Sequence, residues 1–366
     1  MKPDLYPVVL KPIILDKPWG APGKGPYLID GADPALKVGE VWLTADGEYQ
    51  SIVANGRLAG TTLEDLRLKW GLDLLGGRFK GQEKEPFPLL LKFIHAAEYL
   101  SVQVHPDDEA ALRLEGSGPG KTEAWYILET EPGARLVLGL EPGIDCALLS
   151  EALEEGRAEK VLHTFEIDRA EAYYVHAGLL HAIGPGITLF EIQQNIDLTY
   201  RFYDWDRVDD EGNPRELHLK KAMEVLDESG PKIEPFYGLP YEETGLRITS
   251  LAAGQYFALE RWEFPREWTG FMDGARFELM TVLKGRGSLQ DENSNAVELG
   301  RGLTVLLAAG LGDYRIQEAD GLVVLRSYCP DLEMDIIEPL KTRGFSAADI
   351  VKLAGGKRPN DLSGYF

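Results

Sequence analysis

Apolar residues in this chain fall mostly at every second position, in short runs cut by Gly, Pro and Asp. The segments 99–106 (YLSVQVHP), 124–129 (AWYILE), 134–140 (ARLVLGL), 172–177 (AYYVHA) and 187–194 (ITLFEIQQ) are rich in β-branched and aromatic residues, as strands are. Their spacing predicts a sandwich or barrel, so the fold class is β-dominated. Three- and four-residue spacing is rarer and predicts helices over 61–76, 107–115, 146–162 and 214–228. The first of these opens with a Thr-x-x-Glu capping box at Thr61 to Glu64. These helices read as covers and inserts on the β framework.

The periodicity breaks over 230–245 (GPKIEPFYGLPYEETG), where Gly and Pro cluster. A second series of strand-like runs then continues to residue 328, as a second small barrel would require, and it contains no histidine. The expected division is therefore a first domain over 1–230 with helical inserts, a second over 231–328, and a tail over 329–366. The tail carries one helical pattern, FSAADIVKLAG, and no role follows from it.

Composition narrows the possibilities. A chain of 366 residues that is 44% hydrophobic has the length and apolar content for two domains and a large core. No apolar run approaches the ~20 residues that span a bilayer, and the start, MKPDLYPVVLKP, lacks the layout of a secretion signal. A cytoplasmic protein is the expectation. Cys146 and Cys329 stand far apart without CxxC spacing, which indicates neither a disulfide framework nor a thiolate metal site. The 38 basic and 60 acidic residues give a formal charge of −22, which repels nucleic acid and anionic membranes. Any anionic substrate would have to be met by a few placed cations, which draws notice to Lys121 and Arg201.

Strand parity groups the candidate chemistry. Ser101, Gln103 and His105 fall on one face and Val102 and Val104 on the other. A water-facing Gln-x-His is the plain alternative. By the same rule Lys121, Glu123 and Trp125 share a face, although a Lys-x-Glu couple is more often a surface ion pair. His181 lies between two strands in VHAGLLHAIGPGI, with His176 a competing ligand, while His95, His163 and His218 have no partner at ligand spacing. Read as one extended segment, 191–201 alternates a polar set (Glu191, Gln193, Asn195, Asp197, Thr199, Arg201) with a mostly apolar one. An Asn-Ile-Asp turn near 196 would interrupt that register. Phe202, Tyr203 and Trp205 beside Arg201 suggest a walled pocket. Nitrogen, carboxylate and amide donors without thiolates suit a metal-dependent site, with zinc, manganese, iron or cobalt all compatible.

LSVQVHPDDEAA, GKTEAWYIL, VHAGLLHAIGPGITLFEIQQNIDLTYRFYDWDR, PRELHLKKAM, KPWG and GEVWLTA together resemble class I mannose-6-phosphate isomerases, from about Lys11 to Tyr328. The resemblance implies a double cupin fold, one divalent metal ion (usually zinc), and interconversion of mannose 6-phosphate and fructose 6-phosphate. It further implies that Gln103, His105, Glu123 and His181 bind the metal and that Arg201 is catalytic. Lys121 would be a catalytic and substrate-side lysine, and Glu191 an acidic residue near the substrate and the candidate base. The family's usual Pro-x-Gly-Thr before the ligand histidine is replaced here by His176, Gly178 and Leu179. The family's bacterial members also tend to end near the position of Tyr328. A cupin-fold oxygenase and a non-catalytic sugar-binding double barrel are the competing functions.

Overall fold

The structure is a computed structural model that describes residues 5–22, 33, 35–209, 211–228, 235–355 and 359–366. Its strands form four sheets. A six-stranded sheet runs in the order Ala172–Val175, Glu123–Thr130, Ile187–Gln194, Leu89–Ala96, Lys37–Thr44, Ile13–Pro22. A five-stranded sheet runs Tyr200–Tyr203, Val102–Val104, His181–Ile183, Arg135–Leu140, Leu162–Glu166. The strands predicted from alternation are present, with Val102–Val104 shorter than its apolar run.

The alternation decides what each face of the six-stranded sheet meets. Leu89, Leu91, Phe93, Ala124, Tyr126, Leu128, Phe190 and Ile192 join the largest apolar cluster, shared with the eight- and four-stranded sheets of the second half. Ile94, Trp125, Ile127 and Leu189 point the other way and pack on Leu136, Leu138 and Ile183 of the five-stranded sheet. The six-stranded sheet is thus buried on both faces, and every residue of Ile187–Gln194 is buried. Each fully buried Leu or Phe contributes about 1.5–3 kcal/mol, which makes this register costly to slip. Beyond the five-stranded sheet, Val102, Val104, Tyr200 and Phe202 meet Leu149, Ala152 and Ala222 of the covering helices.

The helices are shorter than their patterns. Leu63–Trp70 is capped by Thr62, whose side chain accepts from the Asp65 amide, so the cap lies one residue later than expected and Glu64 takes no part in it. Gly71, at φ 50°, ends this helix. Cys146–Glu154 stops well before 162, because Leu162 already belongs to a strand. Only Leu219–Val225 of the 214–228 pattern is helical.

The expected boundary at Gly230 lies outside the described residues. Downstream, Leu239–Glu243 is a strand paired with Leu246–Ala253, although the sequence there shows no periodicity. Chain order does not separate the halves: Val8–Lys11 pairs with Thr304–Leu307 and with Ile52–Val53, which places both N-terminal strands in the eight-stranded sheet. The tail packs Ile336, Ile337, Leu340, Ile350 and Leu353 against Leu239, Ala253, Ala258 and Tyr328. Among the described residues no helix is long and apolar enough to cross a membrane. Both cysteines are free, and burial raises both thiol pKa values, that of Cys146 to about 11 and that of Cys329 to about 12.

Candidate metal centre

Two rows of the two sheets meet between them. In the five-stranded sheet, Gln103 is in register with His181 on one side and Arg201 on the other, so all three start from one face. In the six-stranded sheet, Gln193 is opposite Glu123. His105 follows directly on the strand Val102–Val104. Where the rows meet, His181 Nε2 is 3.4 Å from Glu123 Oε1, and His105 Nε2 is 3.5 Å from Glu123 Oε2. Gln103 Nε2 lies 3.2 Å from His181 Nε2. Ligand atoms of His105, Glu123 and His181 all fall within 4.8 Å of one another, and the three side chains are at most 1% exposed.

This arrangement suits a cation. His105 Nδ1–H donates to the Leu198 carbonyl at 2.7 Å and His181 Nδ1–H to the Leu179 carbonyl at 2.8 Å. Each bond leaves the Nε2 lone pair directed inward, the usual support for a metal-ligating imidazole. Burial, followed by the nearby Lys121 and His181 charges, holds His105 well below the usual imidazole range. Burial also lowers His181 to about 4, against the opposing effect of its hydrogen bond to Leu179. Both rings are therefore neutral and able to ligate. Among the described residues, His105 Nε2 and Glu123 Oε1 have no hydrogen-bond partner, an expensive state for buried groups unless an ion completes them, while Glu123 Oε2 has the Lys121 ammonium beside it. Gln103 brings its amide beside this cluster, and the amide oxygen accepts from Ser101 Oγ at 3.2 Å.

Local backbone contacts explain the placement. The Gly178 amide donates to the His105 carbonyl at 2.8 Å, which ties the loop before His181 to the end of the Gln-x-His strand. Gly178 has φ +85°, a conformation that favours glycine and shapes the loop before His181. At Gly120 a Cβ would come within 2.3 Å of Asp107 backbone, so only glycine lets the Lys-x-Glu segment lie this close to the start of Asp108–Glu115. The Gly120 amide donates to Asp108 Oδ1 at 2.7 Å, and the Thr122 amide donates to Gln194 Oε1 at 2.9 Å.

The other sequence candidates fall in different places. Lys121 is buried, with Nζ 2.9 Å from Glu123 Oε2, and is not a surface pair. Glu191 is also buried but already engaged: Oε1 lies 3.1 Å from Lys92 Nζ, and Oε2 accepts from Trp125 Nε1 at 3.0 Å. Arg201 is half-buried; its Nη1 donates to the Glu216 carbonyl at 2.6 Å. Its pKa is lowered by burial and by neighbouring Arg215. His176 stands apart, 3.3 Å from Asp227. The row 191–201 is not one strand. Ile187–Gln194 and Tyr200–Tyr203 lie in different sheets, and the turn at 195–196 is held by Gln193 Nε2 to the Ile196 carbonyl and Asn195 Nδ2 to the Phe87 carbonyl. Nor do the three aromatics wall Arg201 together: Phe202 is in the core behind the sheet, and Trp205 stacks on Tyr99 at 4.2 Å.

One group went unnoticed in the sequence. Lys92 is 3% exposed, lies 5.1 Å over the Trp42 ring, and is in register with both Trp42 and Glu191. Burial opposes its charge, but Glu191 and Glu40 outweigh that and hold the ammonium above its ordinary range. A lysine inside the apolar run LLLKFIHA was the available signal. Asp197, from the polar row of 191–201, is open to solvent; partial desolvation works against its charge, yet Lys92, Lys121, Lys17 and Arg201 hold its carboxyl below the ordinary value. Lys17 and Arg215 both lie over the Trp19 ring, at 5.5 and 5.3 Å, and extend this cationic edge.

The family model "phosphomannose isomerase type I, catalytic domain" matches residues 9–124. Mannose-6-phosphate isomerase ManA of Bacillus subtilis (strain 168) is 34% identical over 316 residues, 85% of this chain and 96% of its own length. A crystal structure of the mannose 6-phosphate isomerase from Bacillus subtilis superposes with a TM-score of 0.77 at 32% identity, covering 88% of this chain and 99% of that one. A zinc-bound mannose 6-phosphate isomerase shares the fold at a TM-score of 0.68 and 14% identity, with 88% and 99% covered. By fold, and by identity over most of its length, the chain belongs to the type I mannose-6-phosphate isomerase family.

Proposed function

We propose that this chain interconverts mannose 6-phosphate and fructose 6-phosphate through an enediolate, with one divalent metal ion held by Gln103, His105, Glu123 and His181. The observation that carries the reading is the buried His105–Glu123–His181 triangle, its imidazoles locked by backbone carbonyls, in a chain similar over most of its length to such isomerases. The donor set suits zinc and also manganese, iron or cobalt; zinc is favoured by the zinc-bound relative. When bound, the ion supplies Lewis-acid polarisation of the sugar's C1 and C2 oxygens.

The remaining steps belong to the chain's own groups. Lys121, close against Glu123, supplies a fixed positive charge and a proton donor beside the reacting oxygens. Arg201, in register with Gln103, stabilises negative charge that develops on the sugar. Glu191, the family-implied base, has both oxygens engaged, which supports a role in holding Trp125 and Lys92; Trp125 meets His181 edge-on at 5.4 Å. Asp197, exposed and coupled electrostatically to Lys121 and Arg201, is the alternative to Glu191 as the proton carrier in this reading. The cationic edge of Lys17, Arg201 and Arg215 suits the phosphate, a local exception on a chain of charge −22.

In this reading the four sheets are two jelly-roll cupin barrels. The first is built from residues 1–230, with Val8–Lys11 and Ile52–Val53 lent to the second; the second spans 231–328, and 329–366 packs against it. A cytoplasmic location suits a phosphorylated substrate. An oxygenase would not need the cationic edge, and a purely binding protein would not need a complete ligand set. A coupled assay for fructose 6-phosphate formed from mannose 6-phosphate decides: turnover is expected in the metal-loaded protein, and its absence there refutes the isomerase reading.

A further inference from the structure

The second half contains a cavity of about 610 Å³, a size typical of small-molecule sites and one the isomerase reading does not use. Its floor is polar. Glu260 accepts from Trp262 Nε1 at 2.8 Å, from Arg326 at 2.9 Å and from the Tyr328 hydroxyl at 3.0 Å. Arg326 stacks on Trp262 and Tyr328, at 4.7 and 4.2 Å, and also pairs with Glu278.

The same device stands beside the metal centre. There Glu40 accepts from Trp42 Nε1 at 2.7 Å, while Lys92 lies 5.1 Å over Trp42 and pairs with Glu191. In both halves a Glu-x-Trp strand neighbours the strand carrying the cation, which in turn neighbours the strand carrying the second acid. In the first half this framework borders a site. In the second half it borders the cavity, where there is no histidine to ligate a metal.

The tail forms one wall. Leu332–Ile337 and Glu338–Thr342 bring Met334, Asp335 and Thr342 to the cavity, and Arg343, next in the chain, lies 4.4 Å over the ring of Tyr241, which also lines it. The lining carries the carboxylates of Glu243, Glu260, Asp335 and Glu338 against the guanidiniums of Arg276, Arg326 and Arg343, so it offers no net positive charge to an anion. Guanidiniums already lie over the rings of Trp262, Tyr328 and Tyr241, which leaves half-buried Trp268 as the aromatic face, next to both donors and acceptors. That combination matches a ring with apolar C–H faces and hydroxyl groups at its edge.

We propose that the second half carries a non-catalytic binding site for an unphosphorylated sugar, with residues 329–343 as part of its wall. The test is saturation-transfer NMR with D-mannose, D-glucose and D-fructose on the full chain. It is run in the His105→Ala background, so that the metal centre is disabled. Transfer to at least one hexose is expected, weakened at least tenfold by Trp268→Ala and abolished by Thr342→Trp, which fills the cavity from an exposed position on the tail. Thr342→Trp in the otherwise unaltered chain should leave isomerase turnover and thermal midpoint unchanged, and inorganic phosphate should not displace the hexose. Absence of transfer to all three sugars, equal transfer after Thr342→Trp, or displacement by phosphate each overturns the proposal.

Discussion

Replacing Lys92 by methionine exposes how the polar interior of the first half is held together. Its ammonium is buried 3.1 Å from Glu191 Oε1, with Glu40 also close enough to raise its pKa. At that separation and an effective dielectric of ~20 the gross attraction is about 5 kcal/mol, and removing one partner of such a buried pair costs about 3–5 kcal/mol. Methionine keeps the apolar stem but leaves Glu191 without its cation, while Glu40 keeps Lys17 at 3.4 Å. Glu191→Gln alone strands the lysine less severely, because Glu40 remains. The double variant Lys92→Met/Glu191→Gln should therefore recover about 1.5–3 kcal/mol relative to the sum of the single losses. Urea unfolding of all four proteins at equal metal loading gives the cycle. Additivity within about 0.5 kcal/mol would refute the coupling and, with it, the assignment of Glu191 to a supporting role.

Other outcomes follow from the same geometry. Arg201→Ala should lower kcat by roughly 10²–10³-fold while leaving bound metal unchanged, since its guanidinium bonds to the Glu216 carbonyl and is not among the proposed metal ligands; metal content is read by elemental analysis of the same sample. Asp197→Asn should lower kcat more than Glu191→Gln does, whereas Glu191→Gln should act mainly on thermal stability; steady-state kinetics and melting curves together separate the two. Asp335 pairs with Arg78 at 2.5 Å and Arg276 at 2.9 Å, and these partners hold its carboxyl below the ordinary value against the opposing effect of burial. A depressed folded-state pKa contributes stability above the unfolded value, ~3.9, and loses it as pH falls through the folded value. Asp335→Asn should thus lower the urea midpoint at neutral pH, and the gap to wild type should close below pH ~4. A gap independent of pH would remove the ion pairs from the explanation.

The strands were legible because each has one face in an apolar cluster and the other face committed elsewhere; Phe190 and Ile192 against Glu191 and Gln193 show this within four residues. Parity also placed Gln103 with His105 and Lys121 with Glu123, because those pairs lie within single strands or at their ends. It failed across Asn195 and Ile196. Alternating polar residues continue through the turn, while the chain passes from the six-stranded sheet to the five-stranded one. Side-chain-to-backbone bonds from Gln193 and Asn195 fix that turn, and their partners at 196 and 87 are not visible from local spacing. Lys92 and Glu40 escaped notice for a related reason. Each is an isolated charge in a strand, and their mutual compensation appears only when three strands stand side by side. Helix lengths were overestimated where an apolar rhythm ran on into a strand, as at Leu162.

The most direct test of the metal-dependent isomerase reading is a titration of zinc into chelated protein, with formation of fructose 6-phosphate from mannose 6-phosphate followed at each addition. Activity should rise from baseline and break at one ion per chain, and the His105→Ala protein should stay flat over the same range. Full turnover in the chelated protein, or an unchanged titration in His105→Ala, would contradict the account.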